Sequence, residues 1–96
     1  MYKIEIKVRA QAHLRKAALW YNTQQKVLGL LFLDEVEISL EVLNINPFYA
    51  VRYKDVRAYP LKDFPFLMMF RVDETKMSIS ILAVFHTSKS PEKYPK

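Results

Sequence analysis

The sequence predicts an α+β protein of two layers in the order β-α-α-β-β-β, with a helical hairpin packed on one face of a mostly antiparallel four-stranded sheet. Three observations carry this. Residues 2–9 alternate apolar and charged side chains, the next stretch changes to a helical period as far as Asn46-Pro47, and the remainder returns to short apolar runs divided by turns. A helical block between one strand and three later ones suits a single sheet with its helices gathered on one face. No internal repeat, linker or low-complexity segment interrupts the 96 residues, so one domain spans 1–96.

In the opening "YKIEIKVR", Tyr2, Ile4, Ile6 and Val8 alternate with Lys3, Glu5, Lys7 and Arg9, a period of two that marks a half-buried strand with one charged face. From Ala10 the period becomes helical. Leu14, Ala17, Ala18 and Tyr21 fall on one stripe of an amphipathic helix reaching about Lys26. Gly29, the only glycine, stands between this helix and the next, where a left-handed C-cap residue is expected. The second arm, "LLFLDEVEISLEVLNI", sets Leu33, Val36, Leu40 and Leu43 on one stripe and ends at Asn46-Pro47, because the residue before a proline is pushed out of the helical region.

Arg52–Tyr59 reads as a strand, "DFPF" as a turn, and "FLMMFRV" and "MSISILAVF" as a hairpin joined by "DETK". These last two strands are apolar on both parities, which places them centrally, with cover on each face. One helical hairpin covers only one face. Either Leu67 and Met69 with Leu82 and Val84, or the opposite set, is thus expected to form an apolar patch for a partner.

Composition narrows the chemistry. There is no cysteine, and two separated histidines make a poor metal site, so neither a metal nor any other cofactor is expected. No apolar run approaches membrane-spanning length and no signal-peptide pattern opens the chain, which predicts a soluble cytoplasmic protein without a membrane partner. The net charge of +5 is uneven: residues 52–96 carry nine Lys or Arg against five acids, and residues 1–51 carry six against five. A basic half attracts phosphate polymers or an acidic partner, although a solvated surface explains the same charge.

Taken in order, "WYNTQQKVLGLLFLDEVEISLEVLNINP", "VRAYPLKDFPFLMMFRV" and "ILAVFHTSKSP" resemble the RelE/ParE superfamily of toxins from bacterial type II toxin–antitoxin modules, the plasmid-stabilisation type. The resemblance runs from the first strand to the tail. It implies a small basic toxin that inhibits growth and is held inactive by an antitoxin encoded beside it. It also implies one of two targets: ParE-like members inhibit DNA gyrase, and RelE-like members are metal-independent endoribonucleases that cut mRNA in the ribosome. In the nucleases, basic residues on the second strand, an arginine opening the third, a basic residue after the fourth and a tyrosine near the C-terminus surround the phosphate. By that pattern Arg57, Lys89 and Tyr94 take catalytic places, while Phe66 stands where the arginine is expected. That replacement tilts the reading toward the gyrase-binding mode.

The chemistry of RNA cleavage requires proton transfer to and from ribose and leaving oxygen, with charge to hold the phosphate. His86 is suited to the proton transfers, since an ordinary imidazole titrates near pH 6.5. Arg52, Lys54 and Arg71 are the remaining candidates for binding target or phosphate. One cluster of Arg57, His86 and Lys89 at the sheet edge is therefore expected. Each has a plainer reading as well. Arg57 alternates with Asp55 and suits a carboxylate pair, and a lone histidine at a strand end often bonds loop backbone. His13 reads as a surface residue, Met68 and Met69 as core filler, and Trp20 and Tyr21 as anchors of the hairpin. Asp34, Glu35, Glu37 and Glu41 read as a solvated helix face.

Overall fold

The computed structural model describes residues 1–49 and 51–87, the side chains of 51–53 excepted. Strand β1 (Lys3–Ile6) leads directly into helix α1 (Val8–Gln24), followed by α2 (Leu28–Ile45) and then strands β2 (Val51–Tyr53), β3 (Val56–Pro60), β4 (Phe66–Asp73) and β5 (Ser78–His86). The sheet order is β1-β5-β4-β3-β2, with β1 parallel to β5 and the other pairs antiparallel. The two-layer α+β arrangement is the one predicted. What had read as one strand from Arg52 to Tyr59 is a tight hairpin, β2 and β3, because Lys54 adopts a left-handed conformation (φ 51°) and turns the chain.

The two doubly apolar strands, β4 and β5, are central, as their composition requires. On the face toward the helices, Met68, Phe70, Ile79, Ile81 and Val84 bury against Ala10, Ala17, Ala18, Tyr21, Phe32, Val36 and Leu43. The hairpin is pinned by four rings: Tyr21 lies 5.4 Å from Phe32 and 4.9 Å from Phe64, and Phe32 lies 5.3 Å from Phe66. Tilted and edge-to-face pairs of this kind each add about 0.5–1.5 kcal/mol beyond the area they bury. Three polar contacts complete the docking. Asn44 Oδ1 accepts the Tyr2 N–H, Glu35 Oε2 accepts the Asp63 N–H, and Asn22 Oδ1 accepts the Gly29 N–H. Glu35 therefore ties α2 to the turn before β4, whereas Asp34, Glu37 and Glu41 are exposed as expected.

The second face of the sheet is not the open apolar patch that was expected. Val56, Ala58, Leu67, Met69, Ala83 and Phe85 are all buried there, and most of the exposed large apolar side chains, among them Leu30, Leu31, Ile38 and Ile45, lie on the helices instead. Val84 does not join Leu67 and Met69. Between the pairs Met69–Ala83 and Phe70–Ile81 an extra residue, Leu82, forms a bulge that resets the alternation, so Ile79, Ile81 and Val84 all face the helices. Beyond the bulge the second face turns polar: Lys3, Glu5, Ser78, Ser80 and Arg71 occupy it.

Gly29 has no left-handed role. Its φ is negative and it is buried as the second residue of α2. A Cβ there would sit 2.4 Å from Asn22 Oδ1 and 2.5 Å from the Ala18 carbonyl oxygen, so the glycine is required by the close approach of α1 and α2. The buried stripe of α2 is accordingly Phe32, Val36, Ser39 and Leu43, and Leu33 is turned outward at 39% exposure. The hairpin is also divided by charge. α1 contains Arg9, Arg15 and Lys16 with no acid, and α2 contains Asp34, Glu35, Glu37 and Glu41 with no base.

Two outcomes test this packing. Gly29→Ala, which would stabilise an exposed helix by about 1 kcal/mol, is expected here to destabilise by about 1–3 kcal/mol, read as a lowered urea midpoint at unchanged slope. Burial raises the Tyr21 phenol above its usual value of 10.0. A folded-state pKa above the unfolded one means that the associated stability is intact below pH about 10 and is lost as pH rises through the folded-state value. Tyr21→Phe should therefore flatten the alkaline end of a stability-versus-pH profile measured by denaturant titration.

Candidate functional site

Arg57 lies on β3 on the same face as the helices, opposite Phe70, and His86 ends β5 on that face, opposite Phe66. They are at opposite ends of it. Four residues along β4 and two strand spacings across separate their backbones by roughly 16 Å, so the two side chains do not meet. The Arg57 guanidinium has a structural engagement: Nη1 donates to the Tyr49 carbonyl at 2.7 Å, and the group lies 5.4 Å from the centre of the Phe48 ring. Asp55 pairs with Arg71 at 2.9 Å rather than with Arg57, and both are on the other face. An exposed pair of this kind contributes about 0–1 kcal/mol. Lys54 is exposed at the β2–β3 turn, and Arg52 lies within β2. Lys89 and Tyr94 lie outside the described residues.

The structure assembles a different group of residues around His86. A cleft of about 590 Å³ opens between α1 and the end of β5, lined by His13, Lys16, Trp20, Phe66, Phe85 and His86 among others. Its origin is the shortness of β1. The pairing of β1 with β5 stops at Ile81, where the Lys7 N–H donates to the Ile81 carbonyl at 3.0 Å, and residues 82–86 continue along α1 instead. His13 is not a plain surface residue. Its Nδ1 accepts the Val84 N–H at 3.0 Å, which satisfies a backbone donor on the strand edge, and its ring lies 5.2 Å from that of Phe85. Since Nδ1 accepts, the proton of the neutral imidazole resides on Nε2.

The His86 ring packs edge-on against Phe66 at 5.2 Å and remains exposed at the rim. Phe66 thus fills its position as part of the aromatic cluster that anchors α2, which explains why an arginine is not found there. Arg9, His13, Lys16 and Trp20 recur at spacings of four, three and four, so all lie on one stripe of α1. That spacing was present in the sequence and is the signal that would have identified this wall. Trp20 is 57% exposed despite being the only tryptophan. Among the described residues no Asp or Glu lines the cleft. Two imidazoles, an amine and three large apolar rings form a surface suited to binding an anionic, aromatic group.

A second depression, on the polar half of the other face, is internally neutralised. There Lys7 pairs with Glu5 at 2.9 Å and Arg71 with Asp55 at 2.9 Å. Among the described residues no group of three or more His, Cys, Asp or Glu is placed to hold a metal, and no helix is long and apolar enough to cross a membrane. His13→Ala is expected to destabilise by about 1–3 kcal/mol, because it leaves the buried Val84 N–H without its acceptor. The check is chemical denaturation, supported by faster amide exchange at Val84.

The fold has clear relatives among solved structures. Over 93% of this chain and 100% of the other, it superposes on a chain of the intact E. coli RelBE toxin–antitoxin complex with a TM-score of 0.71 at 16% identity. The isolated E. coli RelE toxin gives 0.69 at 16% identity, covering 96% of this chain and 90% of its own. A chain of the chromosomal ParDE system from P. aeruginosa gives 0.66 at 21% identity, covering 92% and 98%. These likenesses show the shared fold. No curated protein sequence matches the chain. The family model described as the ParE toxin of the type II toxin–antitoxin system parDE matches residues 4–91, almost the whole length. The chain, with its helical hairpin packed on a mostly antiparallel sheet, belongs to the ParE toxin family of type II toxin–antitoxin systems.

Proposed function

We propose that this toxin arrests growth by binding DNA gyrase in the cytoplasm rather than by cutting mRNA, and that an adjacently encoded antitoxin holds it inactive, as in a plasmid-stabilisation module. The observation that carries this reading is the separation of Arg57 and His86. Nuclease chemistry on one phosphate needs its proton-transfer and charge-stabilising groups within hydrogen-bond reach of the reacting atoms. With roughly 16 Å between the two backbones and an aromatic ring at Phe66, the described residues offer no such cluster. A binding mode makes no such demand. It needs exposed contact groups, which the hairpin provides in Leu30, Leu31, Ile38 and Trp20. The RelBE and ParDE neighbours are themselves toxin–antitoxin assemblies, which supports an antitoxin as the partner here.

The test is brief induction of the toxin, with plasmid supercoiling and mRNA integrity followed in parallel. Relaxed plasmid with intact coding regions is the expected result. Rapid cleavage of mRNA on ribosomes would replace this reading with the RelE-like ribonuclease one. In the same cells the product of an adjacent small reading frame should restore growth and co-purify with the toxin.

A further inference from the structure

We propose that the outward face of the helical hairpin is a self-association surface, on which a second copy of this chain packs with its α1 on α2 and its α2 on α1. The proposal goes beyond the target reading above and does not depend on it. On α2, Leu31, Asp34, Ile38, Glu41 and Ile45 recur at spacings of three and four on the side turned away from Phe32, Val36 and Leu43, and all five are exposed. That is the heptad spacing of a helix-pairing seam, with an acid at every second place. On α1, Val8, Ala12, Arg15 and Leu19 form the corresponding outward stripe, at spacings of four, three and four. Leu19, Leu30, Leu31 and Ile38 are between 52% and 63% exposed, and apolar side chains gathered on one face in this way mark an interaction site.

Charge selects the occupant. A carboxylate carried into an apolar interface needs a cation opposite it. Among the described residues Asp34, Glu37 and Glu41 have no ion-pair partner, and neither has Arg15. A second hairpin supplies the cation at the right height. Gly29 of α2 packs level with the interval from Ala18 to Asn22 of α1. Because the two helices run antiparallel, Leu30 is then level with Leu19, and Asp34, one turn further along α2, is level with Arg15. A two-fold axis parallel to the helices keeps these heights. It lays Leu19 of each copy on Leu30 of the other and Arg15 on Asp34, and it makes all neighbouring helices antiparallel, as in a four-helix bundle. An axis across the helices would instead set α1 on α1 and α2 on α2, with like charges facing each other, and is disfavoured. The contact is modest in size. The 17 residues of α1 give a length of about 26 Å and two packed helices a width of about 20 Å, so the pair buries roughly 1,000 Å², the lower bound for a specific interface. The dimer is accordingly reversible, with a dissociation constant on the order of 10 μM. Its formation withdraws Leu30, Leu31 and Ile38 from any other partner.

Sedimentation velocity of the full-length chain, freed of any partner and followed from about 1 to about 200 μM, provides the readout. A concentration-dependent rise from monomer to dimer and no further is expected, since a closed two-fold interface saturates at two copies. Arg15→Glu or Asp34→Arg alone should weaken the dimer about ten-fold or more, because each sets like charges across the interface. The two exchanges together restore opposite charges and should recover most of the loss. Leu19→Asn should also weaken the dimer, by removing the apolar contact with Leu30. Lys76→Glu, in the turn between β4 and β5, changes the net charge as much as Arg15→Glu does and should alter association less than about two-fold. All four side chains are exposed, so these variants are expected to fold, with urea midpoints at about 1 μM close to that of the parent chain. A monomer at every concentration, open-ended aggregation, or a double exchange as weak as the two single ones combined would overturn the proposal. So would a chain that stays monomeric alone and on reversal of Arg15 or Asp34 loses only its hold on a separately encoded protein, which would assign the face to that partner.

Discussion

Four residues of β1 run beside nine of β5, and that mismatch shapes the end of the molecule where the cleft opens. The parallel ladder finishes at Ile81, and β5 runs on with an edge that β1 does not reach. An unpaired strand edge is both costly, at about 1–3 kcal/mol for each unsatisfied buried group, and a template for unwanted pairing. α1 resolves this by starting with only Lys7 between it and the end of β1. With so short a connection the helix has little freedom to rotate, so His13 arrives opposite the Val84 N–H and bonds it. Lys16 and Trp20 then overhang the strand end one and two turns later on the same stripe. The cleft is a consequence of a strand that stops early.

The other end of that cleft is held by the rings. Phe66 belongs to the cluster with Tyr21 and Phe32 and also supports His86, so one side chain links the helical hairpin to the rim. A charged residue at that position would have to leave the cluster to reach solvent, and α2 would lose a principal contact. Phe66 is thus committed to the core of the helical hairpin. Arg57 illustrates the same preference at the far end, where its guanidinium secures the Tyr49 carbonyl before β2.

The fold was legible because its signals are local. Alternation in Tyr2–Arg9, the helical period after Ala10, the proline stop and the doubly apolar last strands each state a backbone preference within a few residues. What escaped the sequence depends on contacts between distant residues. Gly29 looked like a cap because glycine is most often needed for its torsions; here it is needed for space against Ala18, which no window around residue 29 reveals. Leu82 is an ordinary strand residue until its partner Met69 is known, and the bulge then decides that Val84 faces inward. The site was less legible still. Arg57 and His86 have suitable chemistry, but their register separates them, whereas His13 gained its place from a strand edge 71 residues away in sequence.

The division of charge between the two helices has a further effect, on how the protein meets its surroundings. Packed helices lie about 8–10 Å apart, so a column of cations on α1 and a column of anions on α2 stand side by side at roughly the Debye length of physiological salt. The hairpin is in effect a transverse electric dipole lying across the surface, superposed on a net charge of +5. A polyanion in its vicinity experiences a torque as well as an attraction. It is turned so that the α1 side leads, before any side chain touches it, and the proportion of encounters that begin in a productive orientation becomes a property of the ionic strength rather than of the fit.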